Sequence, residues 1–241
     1  MIMADSRLIV ALDVKTDEEA IALVEKLGDS VCHYKVGMEL FYRSGGNIVR
    51  RLRAMGKEVF LDLKLHDIGN TVAEGLVSLL PLGMTMMNVH ASGGFSMMKA
   101  AVTRLREAAA EMQVQVPKLI AVTVLTSIGT EEWVRLGETE AIENHVVRLA
   151  KLAKEAGLDG VVASPYESAA IRQACGDDFL IVTPGIRPAG SSIDDQNRIA
   201  TPASAIANGS THIVVGRPIR TAADPVAAAE SIIKEMEGVQ K

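Results

Sequence analysis

The feature that most limits what this chain can become is a rhythm. Short apolar runs recur eight times, each separated from the next by a stretch with helical spacing. The runs are LIVALDV (8–14), VCHYKVG (31–37), KEVFLDLK (57–64), MTMMNVHA (84–91), KLIAVTVL (118–125), GVVAS (160–164), FLIVTPG (179–185) and HIVVG (212–216). Most are continuous rather than alternating, as parallel strands covered on both faces require. Between them, Thr16-Asp17-Glu18-Glu19 reads as a capping box opening a helix that closes at Gly28, and Thr201-Pro202 opens another that ends at Gly209. Helical patterns at 47–55, 70–82, 96–112, 140–156, 166–175 and 222–237 fill the remaining gaps. Eight strands alternating with helices predict a single α/β domain over residues 1–241, a (β/α)8 or TIM barrel. An open doubly wound sheet is the competing arrangement. It needs a glycine-rich turn after its first strand, and ALDVKTDEE contains no glycine.

Such a barrel needs a large core. Apolar residues make up 48% of the chain but aromatics only 3%, so aliphatic side chains must fill it. A net charge of -5 argues against a protein that grips a nucleic-acid backbone, while leaving room for a local basic site that takes a small anion. No apolar run approaches the roughly 18 residues of a membrane span. The segment MIMADSRLIVALDV lacks the basic start and long apolar core of a secretory signal. Of the two cysteines, Cys32 lies in an apolar run and reads as a small buried hydrophobe. A cytoplasmic location is expected.

Barrel enzymes place their chemistry at the C-terminal ends of the strands. That is where the charged residues fall. Asp13 ends the first run, Lys35 the second, and Asp62 and Lys64 the third, with Asp67 just beyond. Strand side chains alternate between faces, so Asp62 and Lys64 point the same way. A structural ion-pair network is one account of such charges. Four or five of them on neighbouring strand ends point instead to a site, because apolar replacements would often stabilise the fold. Two unit charges about 4 Å apart interact by roughly 4 kcal/mol at an effective dielectric near 20. A carboxylate neighbour favours the charged form of a lysine, which suits an acid and electrostatic stabiliser better than a Schiff-base nucleophile. No G-x-S-x-G elbow is present. The histidines lack His-x-His or H-E-x-x-H spacing, although His90 with Asp62 is a conceivable metal pair; His66 lies inside the charged motif, and His33, His145 and His212 show no clustering.

The opposite side of the mouth carries a different signature. After the seventh run comes PGIRPAGSSIDDQNR (184–198), a long loop with Arg187, Gln196 and Arg198 and with Gly185 and Gly190 as hinge points. The eighth run ends in Val215-Gly216-Arg217-Pro218, where Gly216 permits close backbone approach and Arg217 offers a forked donor. Loops after strands seven and eight recurrently bind phosphate in these barrels, so a small phosphate ester is the expected substrate.

At these residues the chain resembles the orotidine 5'-phosphate decarboxylases of the bacterial type over essentially its full length. The matching motifs are ALDV (11–14), YKVG (34–37), DLKLHDIGNTV (62–72), VTVLTS (122–127), VTPGIRPAGSSIDDQNRIATP (182–202) and VGRPI (215–219). The D-x-K-x-x-D core is shared with a wider group of phosphate-binding barrels, and its combination with the long strand-seven motif is specific. The resemblance implies that Lys35, Asp62, Lys64 and Asp67 form a charged network, with Asp67, Ile68 and Thr71 reaching in from the partner subunit of a homodimer. It implies that Asp13 and Lys35 bind ribose hydroxyls and that Thr126 and Ser127 meet the pyrimidine edge. Arg187, Gln196, Gly216 and Arg217 would hold the phosphate, with Pro184 among the substrate contacts and the 184–197 loop closing as a lid. The implied reaction is cofactor-free and metal-free decarboxylation of orotidine 5'-phosphate to uridine 5'-phosphate and CO2, the last step of de novo UMP synthesis, with Lys64 stabilising and protonating the C6 carbanion. Leu65 and Gly69 stand where the family often has phenylalanine and proline. The alternatives are a metal-dependent sugar-phosphate decarboxylase or aldolase on the same barrel, and a catalytically silent nucleotide binder.

Overall fold

The computed structural model describes residues 4–188 and 200–238. Its centre is a closed barrel of parallel strands in the order β1-β2-β3-β4-β5-β6-β7-β8, with β8 pairing back onto β1. The strands are β1 (Leu8–Ala11), β2 (His33–Gly37), β3 (Glu58–Leu65), β4 (Met86–His90), β5 (Lys118–Val122), β6 (Gly160–Val162), β7 (Leu180–Thr183) and β8 (His212–Val215). Seven lie inside one of the eight apolar runs, and β3 extends one residue past its run, to Leu65. Around the barrel run α1 (Asp17–Leu27), α2 (Met38–Ser44), α3 (Asn47–Ala54), α4 (Gly69–Leu79), α5 (Gly94–Glu111), α6 (Thr130–Arg135), α7 (Ile142–Ala156), α8 (Ser168–Cys175), α9 (Pro202–Ala207), α10 (Arg217–Arg220) and α11 (Pro225–Glu237). The short helices α2, α6 and α10 carry no cap or long periodic stretch that would announce them in the sequence.

The alternation of strand side chains produces two separate cores. Ile9, Ala11, Phe60, Met86, Ile120, Val182 and Val214 point inward and fill the barrel. Their neighbours Leu8, Val10, Tyr34, Val36, Leu61, Met87, Ile181 and Ile213 point outward and pack against the helices. A strand buried on both faces has to be apolar at successive positions, which is why the runs are continuous. At α1 the expected cap forms: the Glu19 N–H donates to Thr16 Oγ1 at 3.2 Å. The Glu19 carboxylate accepts from the Lys15 N–H, one residue before the position that a capping box uses. Cys32 is half-buried rather than fully enclosed, because it sits at the edge where β2 begins. Among the described residues no helix is long and apolar enough to cross a membrane.

Candidate active site

The C-terminal mouth of the barrel opens into a cavity of about 470 Å³. Its floor is the upper layer of the inner core, with Ala11, Phe60, Val122, Val162 and Val214. One wall comes from β1, β2 and β3. There Asp13, Lys35, Asp62 and Lys64 form a chain of alternating charge. Lys35 Nζ donates to Asp13 Oδ1 at 3.0 Å and lies 3.3 Å from Asp62 Oδ2. Lys64 Nζ donates to the other oxygen, Asp62 Oδ1, at 2.7 Å. Asp62 is only 7% exposed, and the side chains become more accessible towards both ends of the chain.

Burial alone would neutralise these groups. It pushes the Asp62 carboxyl up, but the charges of Lys35 and Lys64, with hydrogen bonds from Lys64 and Asn88, outweigh it and hold the carboxyl below its ordinary range. At Lys35, burial works against the ammonium, and the carboxylates of Asp62 and Asp13 reverse the outcome and raise its pKa. Asp62 and Lys35 are therefore held ionised by their neighbours in the wall. Gly37 makes room for it: a Cβ there would stand 3.0 Å from Lys35 Nζ and 3.5 Å from Asp13 Oδ1.

The strand that carries Asp62 and Lys64 is not regular. Leu61 pairs with Met87 and Leu65 with Val89, so four steps along β3 face two along β4. Within this bulge Lys64 takes a left-handed backbone with φ 54°, a conformation that costs a non-glycine residue of order 1–3 kcal/mol. Asp62 and Lys64 still meet at the mouth, although the pleat breaks between them. The residue opposite the bulge is Asn88, 1% exposed, which nothing in the sequence singles out. Its Oδ1 accepts from the Lys64 N–H at 2.8 Å, and its Nδ2 donates to Asp62 Oδ1 at 2.6 Å.

The opposite wall comes from the ends of β7 and β8. Pro184, Arg187, Gly216 and Arg217 line the cavity there, and Thr126 lines it from the segment after β5. Ser127 is exposed and lies outside the lining. Arg187 is buried beside a bridge between Ile186 and Ala200, and its N–H donates to the Ala200 carbonyl. Gln196 and Arg198, with Gly190 and most of the expected lid, lie outside the described residues. Two further charged residues line the mouth, Glu39 of α2 and Arg220 of α10; both belong to short helices that the sequence did not announce.

Asp67, Ile68 and Thr71 are not gathered with the other charges of the same chain. All three are exposed, Ile68 to 73%. The Asp67 carboxylate accepts from the Ile68 N–H at 2.6 Å, at the entry to α4. Gly69 begins that helix close to α5, where a Cβ would stand 3.4 Å from the Ala100 Cβ. Among the described residues no group of three His, Cys, Asp or Glu side chains is placed to hold a metal ion. The His66 and His90 rings lie 5.3 Å apart, tilted; burial, and more weakly the neighbouring His66 and Lys64, push the His90 pKa down.

A closed parallel barrel that gathers ionised side chains at the C-terminal mouth is the architecture of the (β/α)8 enzymes. Within them, this chain belongs to the Orotidine 5'-phosphate decarboxylase / HUMPS family, whose model matches residues 6–232. It is 50% identical over 238 residues to the orotidine 5'-phosphate decarboxylase of Moorella thermoacetica, covering 98% of this chain and 94% of the relative. With that of Nitrosococcus oceani it shares 48% identity over 237 residues, covering 98% and 100%. The crystal structure of orotidine 5'-phosphate decarboxylase from Lactobacillus acidophilus superposes with a TM-score of 0.84 at 46% identity, covering 96% of this chain and 99% of that one.

Proposed function

We propose that this chain decarboxylates orotidine 5'-phosphate to uridine 5'-phosphate and CO2, without cofactor or metal, and so completes de novo UMP synthesis. One observation carries the reading: an ion chain that ends on Lys64 at one wall of a cavity whose other wall presents Arg187 and Arg217. That spacing suits a ligand with a phosphate at one end and a reacting carbon at the other.

In this reading the bond from C6 to the carboxylate breaks, CO2 leaves, and the electron pair remains on C6. The Lys64 ammonium faces that carbon, stabilises the developing negative charge, and then gives C6 its proton. Solvent returns the proton to the amine. Asp62 stands next to the departing carboxylate and disfavours the bound substrate relative to the transition state. Lys35 holds Asp62 and, with Asp13, takes the ribose hydroxyls. The phosphate is remote from C6, but its contacts with Arg187, Gln196, Gly216 and Arg217 orient the ring, and binding energy spent there raises the rate. Thr126 and Ser127 meet the pyrimidine edge, and Pro184 completes the substrate contacts.

The exposure of Asp67, Ile68 and Thr71 supports a homodimer in which these residues complete the partner's site. Mixed Lys64→Ala and Asp67→Ala proteins should then regain partial activity after subunit exchange, and no recovery counts against the shared site. A cytoplasmic location accompanies the reading and is checked by cell fractionation.

The deciding experiment follows the ultraviolet absorbance of orotidine 5'-phosphate with purified protein, with and without EDTA, beside the Lys64→Ala variant. Rapid conversion that resists EDTA and falls by about 10⁴-fold in the variant is the expected result. Conversion that EDTA abolishes keeps the substrate and overturns the metal-free part of the reading, whereas a metal-dependent sugar-phosphate enzyme of the same barrel would leave orotidine 5'-phosphate unchanged. A folded protein that converts nothing overturns the assignment.

A further inference from the structure

The bulge in β3 leaves the Lys64 N–H opposite a side chain instead of a strand carbonyl. That N–H can only donate, and an ionised Asp62 can only accept. A group placed between them must offer an acceptor to one and a donor to the other. A carboxamide does this at fixed geometry, and Asn88 presents its Oδ1 to the Lys64 N–H at 2.8 Å and its Nδ2 to Asp62 Oδ1 at 2.6 Å. The two demands also fix which way the amide points. The same Asp62 oxygen accepts from Lys64 Nζ at 2.7 Å, so backbone, carboxylate and ammonium close into one ring of contacts through Asn88.

We propose that Asn88 is a positioning residue for Lys64: its amide holds the left-handed backbone that aims the ammonium, and simultaneously anchors the carboxylate against which the ammonium rests. The proposal rests on the decarboxylase reading for its kinetic test. Asn88 is buried beneath the site and does not line the cavity, so it acts through Lys64 and Asp62 and not on the substrate. Without it the Lys64 backbone is released from φ 54° towards the ordinary strand region, and the ammonium shifts with it.

Two variants test this. Asn88→Ala removes both bonds; kcat should fall about 10²-fold, the scale of a displacement near 1 Å at a reacting group. The affinity for uridine 5'-phosphate should stay within about threefold, because its phosphate and ribose contacts lie elsewhere. Asn88→Asp separates the two bonds. Its new carboxyl lies beside Asp62, and two adjacent carboxylates raise the pKa of one of them. When protonated it restores both the acceptor and the donor; when ionised it repels Asp62. The kcat of this variant should therefore be highest at acid pH and decline as the new carboxyl loses its proton, over a range where the parent protein stays level. A role in stability alone would not bend kcat in that way.

The crystal structure of Asn88→Ala is a third arm that needs no activity. It should reveal a changed φ at Lys64 and a displaced Nζ. If the parent protein converts no orotidine 5'-phosphate, the decarboxylase reading fails while this arm still decides the positioning. If Asn88→Ala does not fold, the pH profile of Asn88→Asp decides it. A folded Asn88→Ala protein with kcat within about threefold of the parent, or with Lys64 unmoved, overturns the proposal.

Discussion

His33 and Lys35 sit two residues apart on β2 and point into the same barrel, one near the bottom and one near the mouth. Both are removed from water, yet they titrate in opposite directions. His33, 2% exposed, has its pKa pushed down to about 4 by burial, with the Ser6 carbonyl 3.3 Å from Nδ1 only partly opposing this. At Lys35 burial pushes the same way, but Asp62 and Asp13 win and raise the pKa. The cost of burial is common to both ends of the barrel, and the presence of a buried counter-charge decides the sign. At the bottom two buried rings meet without a buried counter-charge: His33 and His212 lie edge to face at 6.1 Å, and burial lowers the His212 pKa to about 4 as well. The mouth retains ions, an arrangement that apolar residues could replace without loss of stability but not without loss of chemistry.

If the mouth is held by its counter-charges, breaking them should do the most damage. Asp62→Ala leaves Lys35 and Lys64 facing each other and takes away the acceptor of Asn88. Removing one member of a buried ionic group typically destabilises by about 3–5 kcal/mol. Urea unfolding near neutral pH should register that loss, together with the disappearance of turnover. A variant as stable as the parent protein means that the charges at the mouth do not hold one another, and the contrast with the bottom disappears.

The second effect belongs to the bottom and appears only in acid. The folded-state pKa of His33 lies below its ordinary value of 6.5, so the unfolded chain binds more protons between about 4 and 6.5. Stability is therefore complete above about 6.5 and is lost as the pH falls towards about 4, by on the order of 3 kcal/mol for the ring. His212 acts in the same direction. The urea midpoint measured at pH 7.5, 5.5 and 4.5 should fall, and His33→Leu should flatten that fall. An equally steep fall in the variant would place the acid sensitivity elsewhere.

How far the sequence speaks differs between these two ends. The eight apolar runs carry the barrel because strands covered on both faces must be apolar throughout, a local demand visible in each run. Asp13, Lys35, Asp62 and Lys64 stand out because charge is unexpected there, and adjacent strands necessarily bring them to one rim. Asn88 does not stand out: within MTMMNVHA an asparagine is unremarkable until the bulge in β3 places a lone N–H across from it. The left-handed turn at Lys64 is equally silent, since no glycine or asparagine marks it. His33 and His212 show no clustering in the sequence, yet closure of the barrel sets β8 beside β1 and brings the two rings together. Local demands are legible in the chain, whereas partnerships created by closure and by irregular register are not.

The smallest effect is also the sharpest test of the contrast. Glu58 Oε2 lies 3.6 Å from His33 Nδ1, a separation that would count as an ion pair if the ring were charged. With a pKa of about 4 the ring is neutral near pH 7, so the contact should be worth nothing there. Only as the ring takes a proton does the carboxylate begin to help, and the exposure of Glu58 limits that help to the 0.2–1 kcal/mol of a solvent-exposed pair, roughly. Glu58→Gln should thus match the parent protein in urea at pH 7.5 and fall slightly behind it at pH 4, where the ring is about half charged. An equal deficit at both values would mean that His33 is already charged at neutral pH. The bottom of the barrel would then be held as the mouth is, by ions and their partners, and burial would not be what separates the two ends of β2.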